Sequence, residues 1–241
     1  MRTAVLSDVH SNLHALEAVL AEVEAASFDA VWCLGDVVGY GPRPNECVAL
    51  LQARSAICLA GNHDLVVLGK ISLATFAGEA GAAAAWTQGE LDKESRAFLD
   101  GLLPSAATEE AELFHGSPRD PVWDYVLSDA AAEASFELTT APLVLVGHSH
   151  VALELSDGRE LRGGPAPGGT VVELAGARRV LNPGSVGQPR DGDHRAAWLE
   201  IDNASGRATF RRTEYPVERT QAEMHERGLP KILAERLAHG V

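Results

Sequence analysis

The first two-thirds of the chain alternate short unbroken apolar runs with stretches whose apolar residues recur every three or four positions. Residues 3–7, 30–34 and 56–60 read as strands, and their lack of polar alternation suits burial on both faces. Between them, residues 13–26 place Leu13, Leu16, Leu20 and Val23 on one helical face. Residues 45–53 form a second helical stretch just after Pro44, a residue suited to a first helical turn. Residues 72–100 have a helical pattern with an Ala-rich centre, and residues 112–114 and 143–146 are strands on either side of a helix at 129–139. Strands separated by helices imply parallel pairing and right-handed crossovers.

Near residue 150 the pattern changes. Residues 151–155, 170–174, 179–181, 196–201 and 207–211 read as strands joined by turns. Asp157-Gly158 and Ser205-Gly206 are hairpin signals, and residues 163–169 (GGPAPGG) read as a flexible loop. Residues 217–239 read as one or two helices broken at Gly228-Leu229-Pro230. The expectation is one α/β domain over residues 1–241, with a mixed sheet arrangement: parallel strands first, hairpins later, helices outside.

Composition narrows the function. With 46% hydrophobic residues the chain has an ordinary globular core. A net charge of −14 argues against a nucleic-acid polymer or an anionic membrane surface as partner. It leaves room for a small phosphorylated ligand in a locally cationic pocket. No stretch approaches the roughly 18 apolar residues of a membrane span, and residues 1–8 lack a signal peptide's apolar region. Cys33, Cys47 and Cys58 have no metal-knuckle spacing and sit in apolar contexts, which suits reduced packing residues and a cytoplasmic protein. Nothing in the sequence specifies an oligomeric state.

The chemistry-bearing residues fall just after five of the expected strands: Asp8 and His10, Asp36, Asn62 and His63, His115, and His148 with His150. In open α/β sheets ligands bind outside the carboxyl ends of strands. Seven of these side chains, Asp8, His10, Asp36, Asn62, His115, His148 and His150, are potential metal ligands. Mixed imidazole and carboxylate suits divalent transition-metal ions such as Mn, Fe, Zn or Ni. A shared carboxylate can hold two ions roughly 3.5–4 Å apart. Two divalent ions outweigh two aspartates and leave the pocket at about +2. The segment of His148 and His150 is expected to be a tight loop rather than plain strand, allowed by Gly147 and Ser149, with both side chains reaching one site.

The set D-x-H (Asp8, His10), G-D (Gly35, Asp36), G-N-H-D (residues 61–64), an isolated His115 and G-H-x-H (residues 147–150) resembles the calcineurin-like metallophosphoesterase superfamily, from Asp8 to about Arg190. More narrowly, the runs GDVVGYGP, PNEC and NPGSVGQPRD are similar to a bacterial and archaeal branch of small phosphoesterases. The resemblance implies a four-layer α/β/β/α sandwich. It implies one metal on Asp8, His10, Asp36 and His150, and a second on Asp36, Asn62, His115 and His148, with Asp36 bridging. It implies that His63 contacts the phosphoryl group and assists the leaving group, while water activated between the ions attacks phosphorus. The superfamily's protein-phosphatase branch carries Asp and Arg where Gly39 and Tyr40 stand here. That difference argues against protein phosphatase activity and leaves His63 without its orienting carboxylate.

Other residues have two readings. Asn12 is a helix cap or a site residue, and Asp64 a cap or loop support. Asn182 and Ser185 belong to a turn that could approach the metals. Arg190 is a solvated cation or the grip on phosphate that Tyr40 does not supply. Trp86, Trp123 and Tyr125 are candidate pocket walls, and His14, His194, His225 and His239 lie outside the motifs. The function expected is hydrolysis of a small phosphomono- or diester. The rivals are a nuclease, and a non-catalytic interaction scaffold of the same fold.

Overall fold

The structure is a computed structural model that describes residues 1–157 and 161–241. The first half runs β1 (Arg2–Leu6), α1 (Leu13–Ala25), β2 (Ala30–Cys33), α2 (Pro44–Arg54), β3 (Ser55–Cys58), α3 (Asn62–Val67), α4 (Gly78–Glu90), α5 (Lys93–Asp100), β4 (Ser105–Ala107) and β5 (Ala111–Phe114). It continues with α6 (Asp129–Leu138), β6 (Leu143–Leu145), β7 (Ala152–Asp157), β8 (Leu161–Pro165), β9 (Val171–Glu173), β10 (Arg179–Pro183), β11 (Ala196–Asp202), β12 (Arg207–Thr213), α7 (Val217–Glu226) and α8 (Lys231–Glu235). The strands form two sheets, ordered β3-β2-β1-β11-β12-β9 and β4-β5-β6-β10-β7-β8. Strands β1, β2 and β3 are parallel, as are β5, β6 and β10, while the later pairings are antiparallel.

Alternation along each strand builds the layers. In β1, Ala4 and Leu6 pack with the helices while Val5 faces the second sheet. In β6, Leu143 and Leu145 meet the first sheet, and Val144 packs against Ala132 and Phe136 of α6. Both faces are therefore dry, which is why these strands read as continuous apolar runs. The result is the four-layer α/β/β/α sandwich, two mixed sheets with helices outside.

Three local readings change. The helical run at 72–100 is a 3₁₀ turn (Leu73–Thr75) followed by α4 and α5, because extended Leu91 breaks it and the Asp92 carboxylate accepts the Ser95 N–H at 2.7 Å as a new cap. The glycine-rich segment expected to be a loop supplies β8, which pairs with β7 as an edge strand. Short α3 and β4 have too few residues for periodicity to reveal them. The Asp157-Gly158 hairpin signal reaches outside the described residues at Gly158. Among the described residues no helix is long and apolar enough to cross a membrane.

Candidate metal centre and active site

The carboxyl ends of β1, β2, β3, β5 and β6 bring Asp8, His10, Asp36, Asn62, His63, His115, His148 and His150 into one buried cluster, none more than 5% exposed. Their loops turn abruptly. Asp8, His10, Asp36, His148 and His150 all have positive φ, between 49° and 64°, a region that non-glycine residues seldom occupy. Left-handed backbone at both His148 and His150 makes this segment a tight loop rather than plain strand.

The ring nitrogens reveal what the cluster is built for. Nδ1 of His10 lies 3.2 Å from the Val38 carbonyl, Nδ1 of His115 2.9 Å from that of Leu34, and Nδ1 of His150 2.6 Å from that of Gln188. A carbonyl only accepts, so each Nδ1 carries the proton and each neutral ring turns a bare Nε2 inward. The inward atoms crowd together. Nε2 of His10 and His150 face each other at 3.0 Å, and His150 Nε2 is 3.4 Å from Asp8 Oδ1. Asp36 Oδ2 lies 3.6 Å from His10 Nε2 and 3.5 Å from His115 Nε2, and His115 Nε2 is 3.1 Å from Asn62 Oδ1. Asp8 Oδ1 and His148 Nε2 are buried without a hydrogen-bond partner.

Burial holds His10, His115 and His150 below the usual imidazole range, so protonation does not relieve this convergence of lone pairs. Burial, followed by the nearby carboxylates of Asp64 and Asp8, pushes Asp36 up. Acceptors aimed at a common space without donors are satisfied by cations. The ligating atoms form two groups, Asp8–His10–Asp36–His150 and Asp36–His115–His148, and Asp36 belongs to both. These donors fit divalent metal binding.

His63 sits beside this cluster at the start of α3. Its N–H donates to Asp36 Oδ1 at 2.8 Å, and its ring is enclosed by those of Tyr40 (4.4 Å between centroids), Phe76 (4.4 Å) and His10 (4.8 Å). Nδ1 has no hydrogen-bond partner. Packing thus takes the place of an orienting carboxylate, and burial together with His150 and Arg190 holds the imidazole well below its ordinary pKa.

The residues with two readings now separate. Asn12 caps α1 through Ala15 N–H (3.2 Å) and donates to the Gly187 carbonyl (2.9 Å). Asp64 accepts from the N–H groups of Gly61 (2.9 Å), Val38 (3.0 Å) and Val37 (3.3 Å), tying the β2 and β3 loops together. Asn182 donates to the Gly147 carbonyl at 2.7 Å and Ser185 to that of Asp8, also at 2.7 Å, so both orient the backbone that carries the cluster. Arg190 reaches the cluster: its guanidinium lies 5.9 Å over the Tyr40 ring and its Nη2 donates to Gln188 Oε1 at 3.0 Å. Trp86 does not; it packs with the helices and under Arg227. His14 approaches Thr220 and Glu223, and His194 approaches Glu214. Phe76 and the Gln188 carbonyl complete the site, and only the latter lay in a motif visible in the sequence.

Two mixed sheets that gather buried carboxylates and imidazoles at their strand ends define a class of metal-binding α/β sandwich. The calcineurin-like phosphoesterase superfamily domain matches residues 1–204, and the chain belongs to that superfamily. It is similar to an uncharacterized protein, MJ0912, of Methanocaldococcus jannaschii, 35% identical over 98% of this chain and 97% of that one. The crystal structure of a metallophosphoesterase from Sphaerobacter thermophilus superposes with a TM-score of 0.91 at 41% identity, covering 100% of both chains. A shorter likeness, 38% identity over 28% of this chain and 26% of the other, links it to a symmetrical bis(5'-nucleosyl)-tetraphosphatase of Psychromonas ingrahamii.

Proposed function

We propose that this chain is a cytoplasmic, metal-dependent phosphoesterase that hydrolyses a small phosphomono- or diester at a dinuclear centre of Mn, Fe, Zn or Ni. Asp8, His10, Asp36 and His150 hold one ion, and Asp36, Asn62, His115 and His148 the other. The observation that carries this reading is Asp36 Oδ2, within 3.6 Å of imidazole nitrogens on either side. When bound, such ions supply an activated water near neutral pH and offset the phosphoryl charge.

The chain's own groups do the rest. Arg190, backed by Tyr40 and tied to Gln188, presents the cation that grips phosphate. Asn62 and His63, adjacent on α3, face the phosphoryl group, and the neutral His63 ring stabilises the leaving oxygen as a hydrogen-bond donor. Asp64, Asn182 and Ser185 fix the loops that carry these groups. The likeness to a tetraphosphatase supports a phosphate-bearing substrate, and the unpaired thiols of Cys33, Cys47 and Cys58 support a reducing compartment.

The test is turnover of bis(p-nitrophenyl) phosphate and p-nitrophenyl phosphate by manganese-loaded protein, with elemental analysis of the same sample. Turnover in proportion to bound metal supports the reading. Silence across a broad ester panel with both ions bound would move the protein to a non-catalytic scaffold.

A further inference from the structure

Aromatic residues are scarce in this chain, with six Phe, four Trp and three Tyr in 241 residues. Yet Tyr40, Phe76, Trp123 and Tyr125 each place a ring within 6.5 Å of a histidine in the site. Tyr40 and Phe76 are spent on holding His63. Trp123 and Tyr125 are not. Tyr125 lies flat on His148, with centroids 4.1 Å apart and planes 6° from parallel, while the residue remains 45% exposed. One face is covered by a potential metal ligand, and close to half of the residue stays open to solvent beside the cluster. Trp123 stands edge-on to both Phe76 (6.0 Å) and His148 (6.5 Å), forming an adjoining wall.

The loop that presents these rings is stitched in place. Ser117 Oγ accepts the N–H groups of Arg119 (3.1 Å) and Asp120 (3.2 Å) and donates to Asp124 Oδ2 at 2.6 Å. Asp120 Oδ1 accepts the N–H of Val122 (3.0 Å) and of Trp123 itself (3.1 Å). Arg119 pairs with Asp124 at 2.7 Å, on the residue between the two rings. A large exposed ring on a pre-ordered loop is a binding surface whose ordering cost has been met in advance.

We infer that Tyr125 and Trp123 form a stacking wall that selects phosphate esters carrying a planar heteroaromatic group, a nucleobase, beside the phosphate. This assignment rests on the phosphoesterase reading for the position of the phosphate, and adds the substrate class. A base has a π-face whatever its hydrogen-bonding edge, so the wall favours nucleotides over sugar phosphates without choosing among bases.

The experiment compares calorimetric affinities of adenosine monophosphate and ribose 5-phosphate for full-length manganese-loaded protein, with free manganese held constant. These ligands share sugar and phosphate and differ in the base. Stacking on one ring is expected to favour the nucleotide by about ten-fold or more. Tyr125→Leu should collapse that ratio and Tyr125→Phe should keep it, which separates lost stacking from a damaged fold. Quenching of tryptophan fluorescence by the nucleotide should disappear in Trp123→Leu. Equal affinities in the unaltered protein, or an undiminished ratio in Tyr125→Leu, would overturn the inference. A preserved ratio in protein that hydrolyses no ester would sink the catalytic reading and leave the stacking wall standing.

Discussion

The Nδ1 edge of His63 rests against Gly39: a Cβ added at residue 39 would lie 2.6 Å from that nitrogen. Gly39 also has φ +99°, which L side chains rarely adopt. An Asp or even an Ala at residue 39 therefore has no room while His63 keeps its place between Tyr40 and Phe76. Gly39→Ala is expected to displace the imidazole and lower kcat by about a hundred-fold, the scale of one donor to a developing oxyanion. Metal content should stay at the native level, because Gly39 supplies no ligand. Turnover and elemental analysis on the same preparation check this, and parallel loss of metal would mean that the β2 loop has collapsed.

That relationship also marks how far the sequence could be read. Mixed sheets with helices outside were legible because Val5, Leu145 and Leu199 belong to strands dry on both faces, with helices between the parallel ones, while the four-layer order was implied by the family resemblance. The clustering of these carboxylates and imidazoles was legible because each follows a strand end. The enclosure of His63 was not, since Phe76 comes from a segment without a motif and reaches the ring only through tertiary packing. Stacking of Tyr125 on His148 was equally hidden, because it depends on hydrogen bonds that fold the 117–124 segment back over the site. The spacing of His148 and His150 carried a partial signal, since residues two apart on an extended chain share a face, but the left-handed backbone found at both did not.

His63 and Asp36 touch through one hydrogen bond but should fail differently when altered. His63→Gln removes the imidazole and keeps the N–H that donates to Asp36 Oδ1 at 2.8 Å. It should lower kcat by about 10²–10⁴-fold with native metal content. Asp36→Asn keeps the shape and removes the charge that both ligand groups share. It should lose metal as well as turnover. Elemental analysis distinguishes them, and metal loss in His63→Gln equal to that in Asp36→Asn would make His63 a structural residue.

Tyr215 gives a pH dependence away from the metal centre. Burial pushes its phenol up from 10.0 to about 12, with the Asn12 side chain opposing. The folded protein then keeps a proton that the unfolded chain releases first. Stability is fully present below about pH 10 and falls as pH rises towards 12, by about 2–3 kcal/mol for a shift of this size. Urea unfolding of the native protein and Tyr215→Phe at pH 9 and pH 11.5 isolates the effect from other titrating groups. The stability difference between the two proteins should move in favour of the variant at the higher pH. A difference independent of pH would refute the assignment.

Removal of metal should expose the tension between His10 and His150. Their Nε2 atoms meet at 3.0 Å, both rings donate through Nδ1 to carbonyls, and burial disfavours protonating either one. Asp8, with an unpartnered Oδ1, adds a further acceptor. Among the described residues nothing resolves that crowding, so a bound cation should stabilise the fold as well as serve chemistry. Manganese at about a hundred times its Kd is expected to add about 2.7 kcal/mol over protein treated with a chelator. Calorimetric unfolding of both samples reads this as a rise in Tm. In His10→Ala the repulsion is relieved while one ligand is lost, so the chelated variant should lose less stability than other buried truncations, and its response to manganese should shrink. An undiminished manganese response in His10→Ala would show that the stabilising ion binds somewhere other than among Asp8, His10, Asp36 and His150.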